Sequence, residues 1–290
     1  MLDGVMLLWF LLTALSVLFV AVDIRSTPES PVLKWGFVLL TAYTGPLGAF
    51  LYVLGCREPL SGLHEQYVAV RWRQVLGSTM HCCAGDGVGI LAGAVFASLM
   101  HFSDVVHVVL EYLLGFGFGW TIFQALFMRD MMGGSYKRSL AKTFFPELLS
   151  MNLLMAGMIP TMILTMKHVP DAHHPADPAF WFLMSMSLLV GFLTAYPINW
   201  WLVAKHMKHG MMTVRVPQSA LAQEHRGGQE SPIPSSSAHR HAASADQPGM
   251  SDMGKVAPAQ LAWMTLLSFL ALAAGAAIAA IWGGAPMALM

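Results

Sequence analysis

The stretch Gln74-Val75-Leu76-Gly77-Ser78-Thr79-Met80-His81-Cys82-Cys83-Ala84-Gly85-Asp86-Gly87-Val88-Gly89-Ile90-Leu91-Ala92-Gly93-Ala94-Val95-Phe96-Ala97-Ser98-Leu99-Met100 holds a single charged residue, Asp86. A transmembrane helix needs about 20 mostly apolar residues, because about 30 Å of hydrocarbon divides by a rise of about 1.5 Å per residue. This segment meets that length. Six others do as well: Gly4 to Val22, Pro31 to Gly55, Asp104 to Met128, Thr143 to Met166, Ala179 to Ala204 and Ala259 to Trp282. The first has no Lys or Arg ahead of it and an apolar run too long for a secretory leader, so it reads as a retained helix. Pro46, after Gly45, and Pro160 remove backbone donors, and kinks are expected there.

Composition agrees. Of 290 residues 56% are apolar and 11% charged, against about 45–50% and about 25% in a soluble domain. Sixteen Lys and Arg balance sixteen Asp and Glu, leaving no basic surplus for a phosphate backbone, so nucleic acid is excluded as a partner. Three cysteines give no disulfide framework. The expected fold is an all-α, polytopic bundle of seven spans in the lipid bilayer.

Lys and Arg near span ends stay cytoplasmic. Seven spans place thirteen cations on one side and Arg25, Lys34 and Lys167 on the other. The amino terminus is then inside and the carboxy terminus outside. Residues 1–70 form two helices and a connector, 71–212 a four-helix core, and 258–290 a last helix that looks appended. Residues 213–257, rich in Ser, Gln, Pro, Ala and His, are expected to be a disordered cytoplasmic linker, since such composition buries too little apolar surface to offset ordering.

With His81 as zero at about 100° per residue, Gly85, Ser78, Gly89, Cys82, Gly93 and Asp86 fall within an arc of about 140°. Gly85, Gly89 and Gly93 permit close helix approach. An Asp in mid-span costs about 2.5–3.5 kcal/mol on insertion scales, so it should face the bundle interior with a partner. Cys82 and Cys83 point about 100° apart, and Cys82 is the one that shares the His81 face.

In the fifth segment Met151, Met155, Met158, Met162, Met166 and Glu147 share an arc of about 100°, and the thioethers climb about 22 Å. Thioethers and thiolates suit Cu(I), although a Met stripe on one face is also ordinary core packing. On the expected outer side, His101 precedes Asp104, His107 and Glu111 at helical spacing, and the loop Lys167-His168-Val169-Pro170-Asp171-Ala172-His173-His174 adds imidazoles where a cation would arrive.

The segments Thr79-Met80-His81-Cys82-Cys83-Ala84-Gly85-Asp86-Gly87-Val88-Gly89, Ser150-Met151-Asn152, Gly157-Met158, Tyr196-Pro197-Ile198-Asn199-Trp200-Trp201-Leu202 and Lys208-His209-Gly210-Met211 resemble a bacterial integral-membrane family catalogued as domain of unknown function 4396. The resemblance covers about residues 71–212. It implies a multi-pass protein of the bacterial inner membrane, without an assigned activity, in the company of copper-handling proteins. Asn199 can hydrogen-bond across helices while Tyr196, Trp200 and Trp201 anchor an interface.

The leading expectation is a bundle that binds or transports a soft transition metal, copper(I), through His81, Cys82 and Asp86 at a deep site, the Met151 to Met166 stripe as path, and His101, His107 and Glu111 as collectors. A non-catalytic membrane scaffold or assembly factor is the alternative, and a haem-binding intramembrane oxidoreductase a further one. No nucleophile motif, phosphate loop or haem-attachment motif is present.

Overall fold

Long apolar segments become helices because the bilayer core offers a backbone no other partner. The structure is a computed structural model that describes residues 2–60, 62–131, 134–210 and 256–283. All regular elements among the described residues are helical: α1 (Leu2–Asp23), α2 (Pro31–Thr44), α3 (Pro46–Gly55), α4 (His64–Val68), α5 (Arg71–Leu99), α6 (Asp104–Phe118), a π-helical segment (Gly119–Gln124), α7 (Ala125–Met131), α8 (Tyr136–Met166), a 3-10 turn (Pro170–His173), α9 (Pro178–Ala204) and α10 (Pro258–Gly283). Six of the helical stretches are long and apolar enough to cross a membrane, with α6, the π-helical segment and α7 together supplying one of them. The segment expected to be a linker, 213–257, lies outside the described residues.

The second expected span is not a span. At Gly45 the backbone takes a φ of 61°, a conformation glycine adopts without a Cβ clash, and Pro46 then starts a new helix. What the sequence suggests as a kink is a reversal, for α3 runs back along α2. Phe37 and Tyr52 pack ring to ring at 5.5 Å. The Tyr52 hydroxyl donates to Asp23 at the end of α1 (2.7 Å) and pairs with Thr27 just before α2 (2.9 Å). Arg57, beyond α3, donates twice to the same Asp23 carboxylate. Both ends of the hairpin therefore meet the end of α1. Fourteen residues of α2 reach about 21 Å, most of the way across the apolar layer. The turn is covered by Trp9 and Thr13 of α1, as non-helical backbone at that depth requires.

Removing one span changes the sides. Met6, near the start of α1, packs with Ala172, Ala179 and Leu183, and the Lys167 ammonium donates to the Trp282 carbonyl at the end of α10 (3.1 Å). The start of α1 and the end of α10 thus lie on the same face, together with the α8–α9 loop, where a path of seven spans would set these helix ends on opposite faces. Arg25 and Lys34 move to the base of the hairpin, where Lys34 donates to the Arg25 carbonyl. Among the described residues eleven of the Lys and Arg then sit on one face and Lys167 alone on the other. The correction sharpens the charge asymmetry.

α10 is integrated rather than appended. Gly275 lies against the Ala156 backbone of α8, where no Cβ would fit, and Ser268 accepts from Asn152 (3.0 Å).

Reporters placed ahead of α1 and at exposed Ala176 should report one compartment, and insertions at Gly62 and Gly134, both in open surroundings, the other. Opposite readings from the first pair would restore the odd number of spans.

Candidate cation site

Close helix packing carries the α5 side chains inward. A Cβ on Gly89 would strike the Leu114 carbonyl of α6, one on Gly93 would stand 3.0 Å from Glu111 Cα, and one on Gly85 2.7 Å from Phe123. The glycine face therefore abuts α6 and the π-helical segment. His81, Cys82 and Asp86 are all buried, Asp86 completely, as a mid-span carboxylate requires. Cys83 turns away into the apolar core with Met80 and Ile90.

Three further groups complete the inner cluster. A π-helical turn inserts one residue and shifts the register beyond it. Here that brings Gly119 against Asp86 and aims Gln124, whose amide donates to Cys82 Sγ (3.0 Å). A Cβ on Gly119 would overlap the Asp86 carboxylate and stand 3.0 Å from Glu147 Oε1, so the two acids face each other across the missing side chain. From α8, Glu147 Oε2 accepts from the Cys82 thiol (3.2 Å). The Lys208 ammonium donates both to Glu147 Oε2 (3.0 Å) and to Cys82 Sγ.

Lys208 arrives from beyond α9. His206, at a φ of 56°, turns the chain, the Met207 N–H bonds back to the Leu202 carbonyl (2.9 Å), and Gly210 packs so tightly on Gln74 that a Cβ would lie 2.6 Å from its Cα. The resulting strap crosses the mouth of the bundle and leaves Lys208 only 6% exposed. Burial disfavours the Lys208 charge, but the Cys82 sulfur and Glu147 carboxylate outweigh it and hold the pKa above the ordinary lysine value. The residue is an ammonium at physiological pH. Beside it, His81 packs its ring on Phe127 (4.9 Å) and leaves Nε2 buried without a hydrogen-bond partner among the described residues.

At the opposite face a cavity of about 520 Å³ opens between α6, α8 and the α8–α9 loop, lined by His101, Asp104, His107, Glu111, Met162, Met166 and His173. The spacing of Asp104, His107 and Glu111 does converge on one place. Glu111 is 1% exposed, and neither carboxylate oxygen has a hydrogen-bond partner among the described residues. His168 instead contacts the Leu164 carbonyl, and His174 accepts from the Ala176 N–H. Between the two ends, Met162, Met158, Met155 and Met151 are buried in one column. Its top lines the cavity, and its foot, Met151, touches Gly115 one helical turn beyond Glu147.

Asn199 serves packing: its amide donates to Ser150 Oγ (2.8 Å) and to the Ala195 carbonyl (2.9 Å), joining α9 to α8.

Residues 71–208 match the family model described as a domain of unknown function (DUF4396). The match spans 138 of the 290 residues. The DUF4396 match starts on the first residue of α5 and ends on Lys208, so the strap belongs to it while α1 to α4 and α10 do not. No curated protein and no solved structure matches the chain. Sequence reading missed Gln124 and the role of Lys208. The segment Lys208-His209-Gly210-Met211, one of those that carry the resemblance, was the available signal.

Breaking one partner of a buried ion pair strands the other and costs about 3–5 kcal/mol. Lys208→Met should therefore lower the Tm of the detergent-solubilised protein sharply, and Lys208→Met with Glu147→Gln should recover much of the loss. Additive losses would show that the two charges do not stabilise each other.

Proposed function

We propose that this protein binds a soft metal cation, copper(I), at the cavity end of the Met column and passes it toward the Cys82 cluster. The observation that carries the reading is the continuity of donors: two thioethers, Met162 and Met166, line one cavity with His101, His107 and His173, and buried thioethers continue from there toward Cys82. Thioether, imidazole and thiol are the ligand types that select Cu(I) over hard cations. The Glu111 carboxyl, buried without a hydrogen-bond partner among the described residues, adds an oxygen donor at the inner wall of the cavity that an entering cation can take in exchange for a proton.

Lys208 supports the same reading in a different way. Its ammonium occupies the position between thiol and carboxylate that a metal ion would take. The deep cluster is therefore built for a positive charge, and a metal would have to displace the tethered one. For that reason the first binding site is assigned to the cavity and not to His81, Cys82 and Asp86. The haem alternative fares worse, since the cavity beside His81 measures about 10 Å³ and a porphyrin could not enter without unpacking the strap. The scaffold alternative leaves both the cavity and its converging polar groups without a role.

Under the positive-inside rule the face with eleven cations is cytoplasmic, which turns the cavity to the exterior of a bacterial inner membrane. Uptake or capture of copper from outside, in company with other copper-handling proteins, follows from that orientation.

The test is Cu(I) retention by purified protein under reducing conditions against a competing chelator. Wild type should hold copper, and Met162→Leu with Met166→Leu should weaken binding about tenfold or more, equivalent to about 1.4 kcal/mol or more. Volume-conserving Met to Leu changes usually cost less than about 1.5 kcal/mol of stability, so the fold should survive. Met184→Leu, a buried thioether of α9, is the packing control and should leave affinity unchanged. Wild-type protein that retains no copper would end the proposal.

A further inference from the structure

Outside the DUF4396 match, three side chains of metal-ligating type converge at the base of the α2–α3 hairpin. Glu29 comes from the connection after α1, Cys56 caps α3, and His64 opens α4. All three are buried, and one ligand atom from each lies within 4.8 Å of the other two. His64 Nε2 stands 3.9 Å from Glu29 Oε1 and 3.1 Å from the Cys56 carbonyl. The Ser30 N–H donates to Glu29 Oε2 (3.2 Å), which steadies the carboxylate.

We propose that Glu29, Cys56 and His64 form a zinc site that clasps the hairpin to α1 and α4. Zinc takes a mixed set of thiolate, imidazole and carboxylate, at about 2.3 Å to sulfur and about 2.0–2.2 Å to nitrogen or oxygen. Tetrahedral donors at those lengths are roughly 3.5 Å apart, so the present groups need to close by about 1 Å, a shift within the reach of side-chain rotation. Binding takes the thiol proton from Cys56 to solvent. The ion then carries two positive charges against one thiolate and one carboxylate, and the buried assembly is neutral with His64 uncharged, which is the balance a site removed from water requires. Three protein ligands leave the fourth position for water. The set differs from the Met and His lining of the cavity, and the inference stands whether or not copper binds there.

The clasp also has a task. The hairpin ends where Asp23, Thr27, Tyr52 and Arg57 already meet, and a metal adjacent to them would hold α3 against the loop that leads to α5.

The experiment uses the full chain in detergent. With Cys82→Ser and Cys83→Ser, Cys56 is the remaining cysteine of the three. After equilibration with zinc and desalting, about one zinc per chain should remain, and cobalt in its place should give a thiolate-to-cobalt charge-transfer band. A chelator should raise the rate at which Cys56 is alkylated. Cys56→Ser, His64→Gln and Glu29→Gln, each in an otherwise native chain, should each lose zinc affinity by tenfold or more, with copper retention at the cavity unchanged. Zinc content equal in Cys56→Ser and wild type, or no charge-transfer band in the protein that keeps Cys56, would overturn the site. The band is read on protein with all three ligands in place, so misfolding of a ligand variant does not obscure the outcome.

Discussion

The ammonium of Lys208, held between the Cys82 sulfur and the Glu147 carboxylate, is the interaction on which the inner half of this bundle depends. A charge removed from water costs several kcal/mol unless it is paired and hydrogen-bonded. Two buried acids, Glu147 and Asp86, face each other here, so one lysine compensates one of them and the other needs a proton or a second cation. That requirement explains local features that would otherwise be liabilities. Gly119 has no side chain because two carboxylates occupy its space. The π-helical turn exists where Gln124 must reach the sulfur, and the strap bends through a left-handed His206 to deliver the lysine.

The same principle orders the rest of the membrane interior. Tyr112 donates to Asn152 (2.6 Å), Asn152 to Ser268, and Asn199 to Ser150, so each buried amide is tied to a neighbouring helix. These bonds link α6, α8, α9 and α10 at depths where apolar packing alone gives little preference between helix and lipid. The Met column lies inside this frame. Its side chains are flexible enough to fill an irregular seam, yet the seam opens at one end on a cavity whose polar groups are only partly satisfied, which packing by itself does not explain.

Much of this could be read in the residues. The burial of His81, Cys82 and Asp86 followed from one helical arc and the cost of a mid-span acid, and the convergence of Asp104, His107 and Glu111 from their spacing along a helix. Both inferences stay within a single element, where periodicity is reliable. Lys208 and Gln124 failed that condition. The contact of Lys208 with Cys82 joins residues 126 apart, and a π-helical insertion rotates Gln124 off the face that α-helical counting assigns. Pro46 was legible as a break, but whether a Gly-Pro break bends a helix or reverses it is decided by what packs on the turn. Here Trp9 and Thr13 of α1 cover it.

That reversal has a consequence beyond topology. A hairpin that enters and leaves by one face brings the connections on either side of it together, and so Glu29 and Cys56, expected on opposite sides of a continuous span, become neighbours of His64. It also collects Arg25, Lys34 and Arg57 on the face that already holds the cations of the bundle. Each basic residue near a span end adds to the preference for retention in the cytoplasm, so eleven cations against one among the described residues bias the chain strongly to a single orientation. The polar base of the hairpin and the Lys208 strap then lie at the same membrane surface, while the cavity faces away from both. The molecule is thereby divided into a sealed side, where the Lys208 charge is paired inside the bundle, and an open side, where the cavity leads from the surface to the buried Glu111 and Met162.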